Sequence, residues 1–125
     1  MIRGIGIDVV QVSRMRAWID QPYLLRRFFH SSEVEAVMNR GDASVLALSA
    51  RFAAKEAYGK ALGTGLRNLS LRDVYVSNDE LGKPALQLEG SARAALERIG
   101  GSRVFISLTH EQDNAIAMIV IEGDD

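Results

Sequence analysis

Arg51-Phe52-Ala53-Ala54-Lys55-Glu56-Ala57-Tyr58-Gly59-Lys60-Ala61-Leu62-Gly63-Thr64-Gly65 is the stretch on which the reading of the chain turns. The pattern predicts a long helix from about Ser44 to Leu62, ended by Gly63 in a left-handed cap. Ala50, Ala53, Ala54, Ala57 and Ala61 give it a small-residue side that allows close approach to a sheet. It is therefore expected to be the central, buried helix. Phe52, Glu56 and Lys60 are spaced by four and stack along one face. Alone, Glu56 before Lys60 is an ordinary surface pair worth ~0.2–0.5 kcal/mol. On a closely packed helix the same charges border a cleft. There the carboxylate can hold magnesium, and the ammonium one turn on can meet a phosphate oxygen.

Upstream of this helix, residues 2–10 alternate in the manner of a strand. Ile5, Ile7 and Val9 point one way, and Gly4, Gly6, Asp8 and Val10 the other. A carboxylate within an apolar strand is costly to bury without a partner. Asp8 either caps backbone or pairs with an arginine, or it ligates a hard cation such as magnesium in the space that Gly4 and Gly6 leave. Ser13 is expected to cap a helix through about Asp20, with Pro22 at its end. A second helical piece is expected near Tyr23 to Phe28. Ser31 or Ser32 caps a third, with Glu33 and Glu35 in the first turn where the helix dipole favours acids.

Downstream, strands are expected at Val74–Val76 and Ala85–Leu88 around a turn at Asn78–Gly82. Ser91 is expected to cap a helix through Ile99, and Val104–Leu108 and Ala115–Ile121 to form a hairpin. The order implies one α+β domain over residues 1–125, with the long helix packed on an antiparallel sheet. At the end of the fourth strand, Ser107, Thr109 and His110 could hold a phosphate or sugar, though they are also ordinary surface residues.

Composition narrows the function. In 125 residues, 15 Lys+Arg against 16 Asp+Glu give a net charge of −1, which argues against bulk attraction to nucleic acid or an anionic membrane. A 47% hydrophobic fraction is enough for a core and too high for general disorder. With no cysteine there is no disulfide, thiolate metal site or cysteine nucleophile. No signal-peptide pattern or membrane-spanning run is found, so a soluble, cytoplasmic protein is expected. The small size makes oligomerisation a reasonable expectation. Gly59-Lys60 is followed by Ala61 and has no glycine five residues before it, so it is not a P-loop. Gly4-Ile5-Gly6 lacks a third glycine, so it is not a Rossmann fingerprint. Between residues 11 and 30, Arg14, Arg16, Arg26 and Arg27 face only Asp20. That is either a solvated surface or a docking face for an acidic protein.

Together these residues resemble holo-acyl-carrier-protein synthase, the short class of bacterial phosphopantetheinyl transferase. The likeness is carried by Gly4-Ile5-Gly6-Ile7-Asp8, by Arg51 to Gly65, by Gly82-Lys83-Pro84 and by Ile106-Ser107-Leu108-Thr109-His110, in that order along nearly the whole chain. The resemblance implies transfer of phosphopantetheine from coenzyme A to a serine of apo acyl carrier protein. It implies that Asp8 and Glu56 hold magnesium and that Lys60 faces the pyrophosphate. Arg51, the Gly63-Thr64-Gly65 loop, Pro84, Ser107, Thr109 and His110 would border coenzyme A. Arg14, Arg26 and Arg27 would meet the carrier. It further implies a phosphopantetheinyl transferase fold and a homotrimer with sites at subunit boundaries. Arg16-Ala17-Trp18 is bulkier than the family pattern leads one to expect. The competing readings are a magnesium-dependent nucleotide phosphohydrolase and a non-catalytic carrier-binding module.

Overall fold

The close approach of β1 to α4 organises the molecule. In the computed structural model, which describes residues 1–124, β1 (Ile2–Gln11) lies against α4 (Ser44–Leu62). A Cβ on Gly4 would collide with the Ala61 carbonyl, and one on Gly6 with the Ala57 carbonyl. Only glycine lets the strand backbone come this near the helix backbone. On the helix side, Ala53, Ala54 and Ala57 are completely buried.

The sheet beneath α4 has three strands in the order β1-β5-β4, all antiparallel, with β4 at Arg103–His110 and β5 at Asn114–Glu122. Ala117, Ile119 and Ile121 of β5 join the core under α4. The opposite face of the sheet is bare. Ile5, Ile7 and Val9 are 57%, 56% and 56% exposed, and Phe105 and Met118 are 52% and 42% exposed. A separate two-stranded sheet pairs β2 (Val74–Asn78) with β3 (Pro84–Leu88).

The expected long helix is present, and Gly63 ends it at φ 85°. The earlier helices depart from expectation. α1 covers only Val12–Arg16, starts after Gln11 without a side-chain cap and stops short of Asp20. Pro22 opens α2 (Pro22–Phe28) instead of closing α1, because a proline at the first helical position gives up an N–H that has no helical partner anyway. Neither Ser31 nor Ser32 caps α3 (Ser31–Met38). The His30 ring accepts from the Ser32 N–H, and the Glu33 carboxylate accepts from the His30 N–H in return. Nor does Ser91 cap α5 (Gly90–Arg98) from within. The Asp73 carboxylate, distant in sequence, accepts both the Ser91 N–H and its hydroxyl.

Candidate active site

Asp8 lies on the helix side of β1, as its alternation with Ile7 and Val9 requires, and the neighbouring glycine brings it within reach of α4. Lys60 Nζ donates to Asp8 Oδ1 at 2.8 Å and to the Ile7 carbonyl at 3.1 Å. The hydrogen bond to Asp8, and then its charge, raise the Lys60 pKa. Neither simple expectation for these residues holds. Asp8 pairs with a lysine and not an arginine, and Lys60 reaches across to β1 instead of bonding back to Glu56.

Glu56 sits one turn before Lys60 and is half-buried. Among the described residues it makes no hydrogen bond and no ion pair. Burial, and next the charge of Asp8, push its pKa up, while Arg14 and Lys60 pull the other way. Asp8 holds the Lys60 ammonium, whereas Arg14 and Lys60 act on Glu56 only through space, and no cation is bonded to it. Among the described residues no group of three metal-ligating side chains occurs. Magnesium is commonly held by only one or two carboxylates, with waters and substrate phosphates completing its shell. An Asp8–Glu56 pair with the second carboxylate unbonded fits that mode.

A second cluster lies beside β4, at the opposite edge of the sheet from β1. A groove of about 330 Å³ runs between the first half of α4 and the β2–β3 hairpin, and its lining includes Arg51, Pro84 and His110, with Arg40 and Asn78. Arg51 is 4% exposed, and one guanidinium nitrogen donates to Asn78 Oδ1 at 3.0 Å. Its buried Nε has no partner. An orphaned buried donor is costly, so an acceptor from a ligand would find a use here.

The other expected site residues fall elsewhere. Ser107 and Thr109 pair with Met118 and Ile116 and share the outward sheet face with Phe105, whereas His110 lies on the α4 side. The Gly63-Thr64-Gly65 loop follows Lys60 at the end of α4, and the Gly65 N–H donates back to the Gly59 carbonyl at 3.0 Å. The arginines divide as well. Arg14 stands over Phe52 and Arg27 over Phe28, at 5.6 and 5.2 Å from the ring centres. Trp18 packs on both rings at 5.3 Å, which gives the bulky 16–18 segment its place. Phe52 is one turn before Glu56, so this aromatic and basic patch adjoins the carboxylates. Arg26 instead lines a groove with Phe29, Val34 and Arg72.

Sequence reasoning missed Arg40 and Asn78, which carry no local signal of a site. It also missed Lys55. That ammonium and the Glu33 carboxylate are both fully buried and lie 2.6 Å apart. Desolvation lowers the Lys55 pKa, opposed by the Glu33 charge. The only available hint was the position of Lys55 among alanines on the packed part of α4.

Comparison with known proteins decides the family. Residues 4–118 match the family model described as the 4'-phosphopantetheinyl transferase superfamily. The chain belongs to that superfamily. Among this transferase's relatives, a holo-[acyl-carrier-protein] synthase of Treponema denticola is 50% identical over 123 residues, 98% of this chain and 100% of the relative. The crystal structure of a holo-[acyl-carrier-protein] synthase from Neisseria meningitidis superimposes with a TM-score of 0.87 at 36% identity, covering 98% of this chain and 99% of that one. A holo-(acyl-carrier-protein) synthase from Bacillus anthracis, in complex with CoA (3',5'-ADP), gives 0.82 at 32% identity and covers 99% of both chains. The α+β transferase fold, with its long helix on an antiparallel sheet, is thus common to the group. Among the described residues no helix is long and apolar enough to cross a membrane.

Proposed function

We propose that this transferase moves the phosphopantetheine group of coenzyme A to a serine hydroxyl of an apo acyl carrier protein, in the cytoplasm, leaving the holo carrier and adenosine bisphosphate. The observation that carries the reading is the Asp8–Glu56–Lys60 cluster, in which Glu56 lies near Asp8 with no hydrogen bond or ion pair of its own, on a chain of this family. The serine oxygen attacks the phosphorus that bears pantetheine, and the bond from that phosphorus to the bridging oxygen breaks. The serine proton leaves to Glu56 or to a water beside it. Negative charge grows on the departing bisphosphate, and fixed positive charge directed at it lowers the barrier.

Lys60 supplies part of that charge. Its side chain is 54% exposed, so the ammonium can turn from Asp8 toward a phosphate oxygen. Asp8 and Glu56 would hold magnesium, whose charge polarises the pyrophosphate when bound. Arg51, Pro84 and His110 would receive the nucleotide end, with the orphaned Arg51 Nε as one donor. Gly63, Thr64 and Gly65 would border the diphosphate next to Lys60. Arg14 and Arg27, with Trp18 between them, would meet the carrier, and Arg26 would touch it farther out.

The carboxylate cluster and the nucleotide groove lie at opposite edges of the sheet, so a complete site needs the β1 edge of one copy beside the β4 edge of another. The bare sheet face supports assembly. Burying an exposed isoleucine is worth about 1.5–3 kcal/mol, and Ile5 and Ile7 sit side by side with Met118 and Phe105. A homotrimer closes such a head-to-tail contact into a ring. It would also place the outward Ser107 and Thr109 at a boundary, where they can meet coenzyme A.

Intact-mass measurement of an apo carrier, incubated with the enzyme, coenzyme A and magnesium, tests the reading. The carrier should gain one phosphopantetheine, and Asp8→Ala and Glu56→Ala should fold normally and add none. Phosphate release without a heavier carrier would favour the phosphohydrolase. Carrier binding without either product would favour the docking module.

A further inference from the structure

We infer that the buried Lys55–Glu33 pair is a positioning device, fixing the rotation of α4 on the sheet so that Glu56 faces Asp8. This rests on the assignment of Glu56 to the reacting site proposed above.

The pair is saturated with directional bonds. Lys55 Nζ donates to Glu33 Oε1 at 2.6 Å, to the Leu71 carbonyl at 2.9 Å and to the Val74 carbonyl. The other carboxylate oxygen of Glu33 accepts from the Val76 N–H at 3.1 Å, and Oε1 also accepts from the His30 N–H at 3.1 Å. One side chain of α4 is thereby tied to α3, to the turn before β2 and to β2 itself. The Phe29 ring lies 5.2 Å from the ammonium. All three ammonium donors are used, and both carboxylate oxygens accept.

Stability alone does not account for this arrangement. Removing two charges from water costs several kcal/mol per ion, and apolar side chains of similar volume commonly serve as well or better. Toward α3 and β2, Lys55 supplies directional bonds of the kind that Tyr58 and Lys60 supply elsewhere on α4. The α4 surface against β1 is alanine meeting glycine, which permits close approach but offers few knobs to set one rotation over another. Lys55 is the residue immediately before Glu56, about 100° away around the helix. Arg51 lies one turn before Lys55 and reaches the nucleotide groove. A few degrees of helix rotation would move both at once.

The test is the double variant Lys55→Met/Glu33→Gln, which removes both charges and keeps an acceptor for the Val76 N–H. The Tm should fall, because the Leu71 and Val74 carbonyls lose their donor, so the assays are run well below it. The calorimetric Kd for magnesium should rise, and kcat should fall, each by about 10-fold or more, as when an outer partner of a metal ligand is lost. KM for coenzyme A should rise as well, because Arg51 turns with Glu56. A folded double variant with wild-type Kd and kcat overturns the inference, as does a loss of kcat that only tracks the folded fraction while Kd stays fixed. Should the double variant not fold, Glu33→Asp, which keeps the charge and shortens its reach, must show the same changes at smaller amplitude, and wild-type values there overturn the inference too. Glu56→Ala, run in parallel, separates the two levels. If it retains magnesium binding and turnover, the reading of Glu56 itself fails.

Discussion

Lys55 and Lys60 occupy one helix, little more than a turn apart, in opposite circumstances. Lys55 is completely buried, and its three donors meet three acceptors. Lys60 is more than half exposed, and its partners are one carboxylate and one carbonyl on a neighbouring strand. The first cation has no freedom to serve a ligand. The second is held loosely enough to exchange Asp8 for a phosphate. In the proposed reaction, identical side chains are thus divided between architecture and chemistry by burial, and the division can be attacked by mutation.

The largest contrast is in stability. Lys55→Met strands the Glu33 carboxylate in the core and should cost about 3–5 kcal/mol in urea melts, whereas Lys60→Met should leave the midpoint near that of the wild type. Equal losses would erase the distinction. Turnover should show the reverse. Lys60→Met should lower kcat by ~10²-fold, as expected when a donor to developing negative charge is removed. A change confined to melting temperature would reduce Lys60 to a surface pair. Asp8 raises the Lys60 pKa, so this pair's contribution is complete below the ordinary value of 10.5 and disappears as pH rises through the higher folded value.

Tyr58 extends the contrast to a third polar group of the helix. Its hydroxyl donates to the Ala92 carbonyl at 2.7 Å, and burial raises its pKa from 10.0 to about 12. Above pH 10 the unfolded chain loses this proton first, so stability should decline by about 2 kcal/mol toward pH 12. Tyr58→Phe should flatten that decline in melts across the same range, at a constant cost of about 1 kcal/mol for the lost hydrogen bond. An unchanged alkaline slope would assign the titration to another group. The smallest expected effect is on carrier recognition. Arg14→Glu, beside the Trp18 patch and Glu56, should raise KM for the apo carrier more than Arg26→Glu does, with KM for coenzyme A constant in both. An equal effect of the two would mean that the docking face spans both grooves.

The parts of this molecule that could be read from sequence are those fixed by neighbours in the chain. α4 was legible from end to end because an alanine side and a terminal glycine are local signals. β1 was legible because its alternation is strict, and that alternation put Asp8 on the same side as the glycines. The beginnings of the helices were less legible. α3 is capped by a histidine ring, and α5 by Asp73 from another element, so the nearby serines misled. At the site, the Asp8–Lys60 pair was not legible, because its members lie 52 residues apart and no local spacing joins them. Strand alternation already forbids Ser107 and Thr109 from sharing a face with His110, a point that treating the strand end as one unit obscured. Lys55 escaped notice because nothing in a sequence shows that a lysine's three acceptors converge from distant segments.

The alternation along β1 has a consequence for length variation. Loss or gain of one residue between Gly4 and Val9 would turn isoleucines into the Gly4 and Gly6 positions against α4, where a Cβ collides with the helix backbone, and send the carboxylate to the outer face. Substitutions along this strand are graded in their effects, but an indel here is all-or-none.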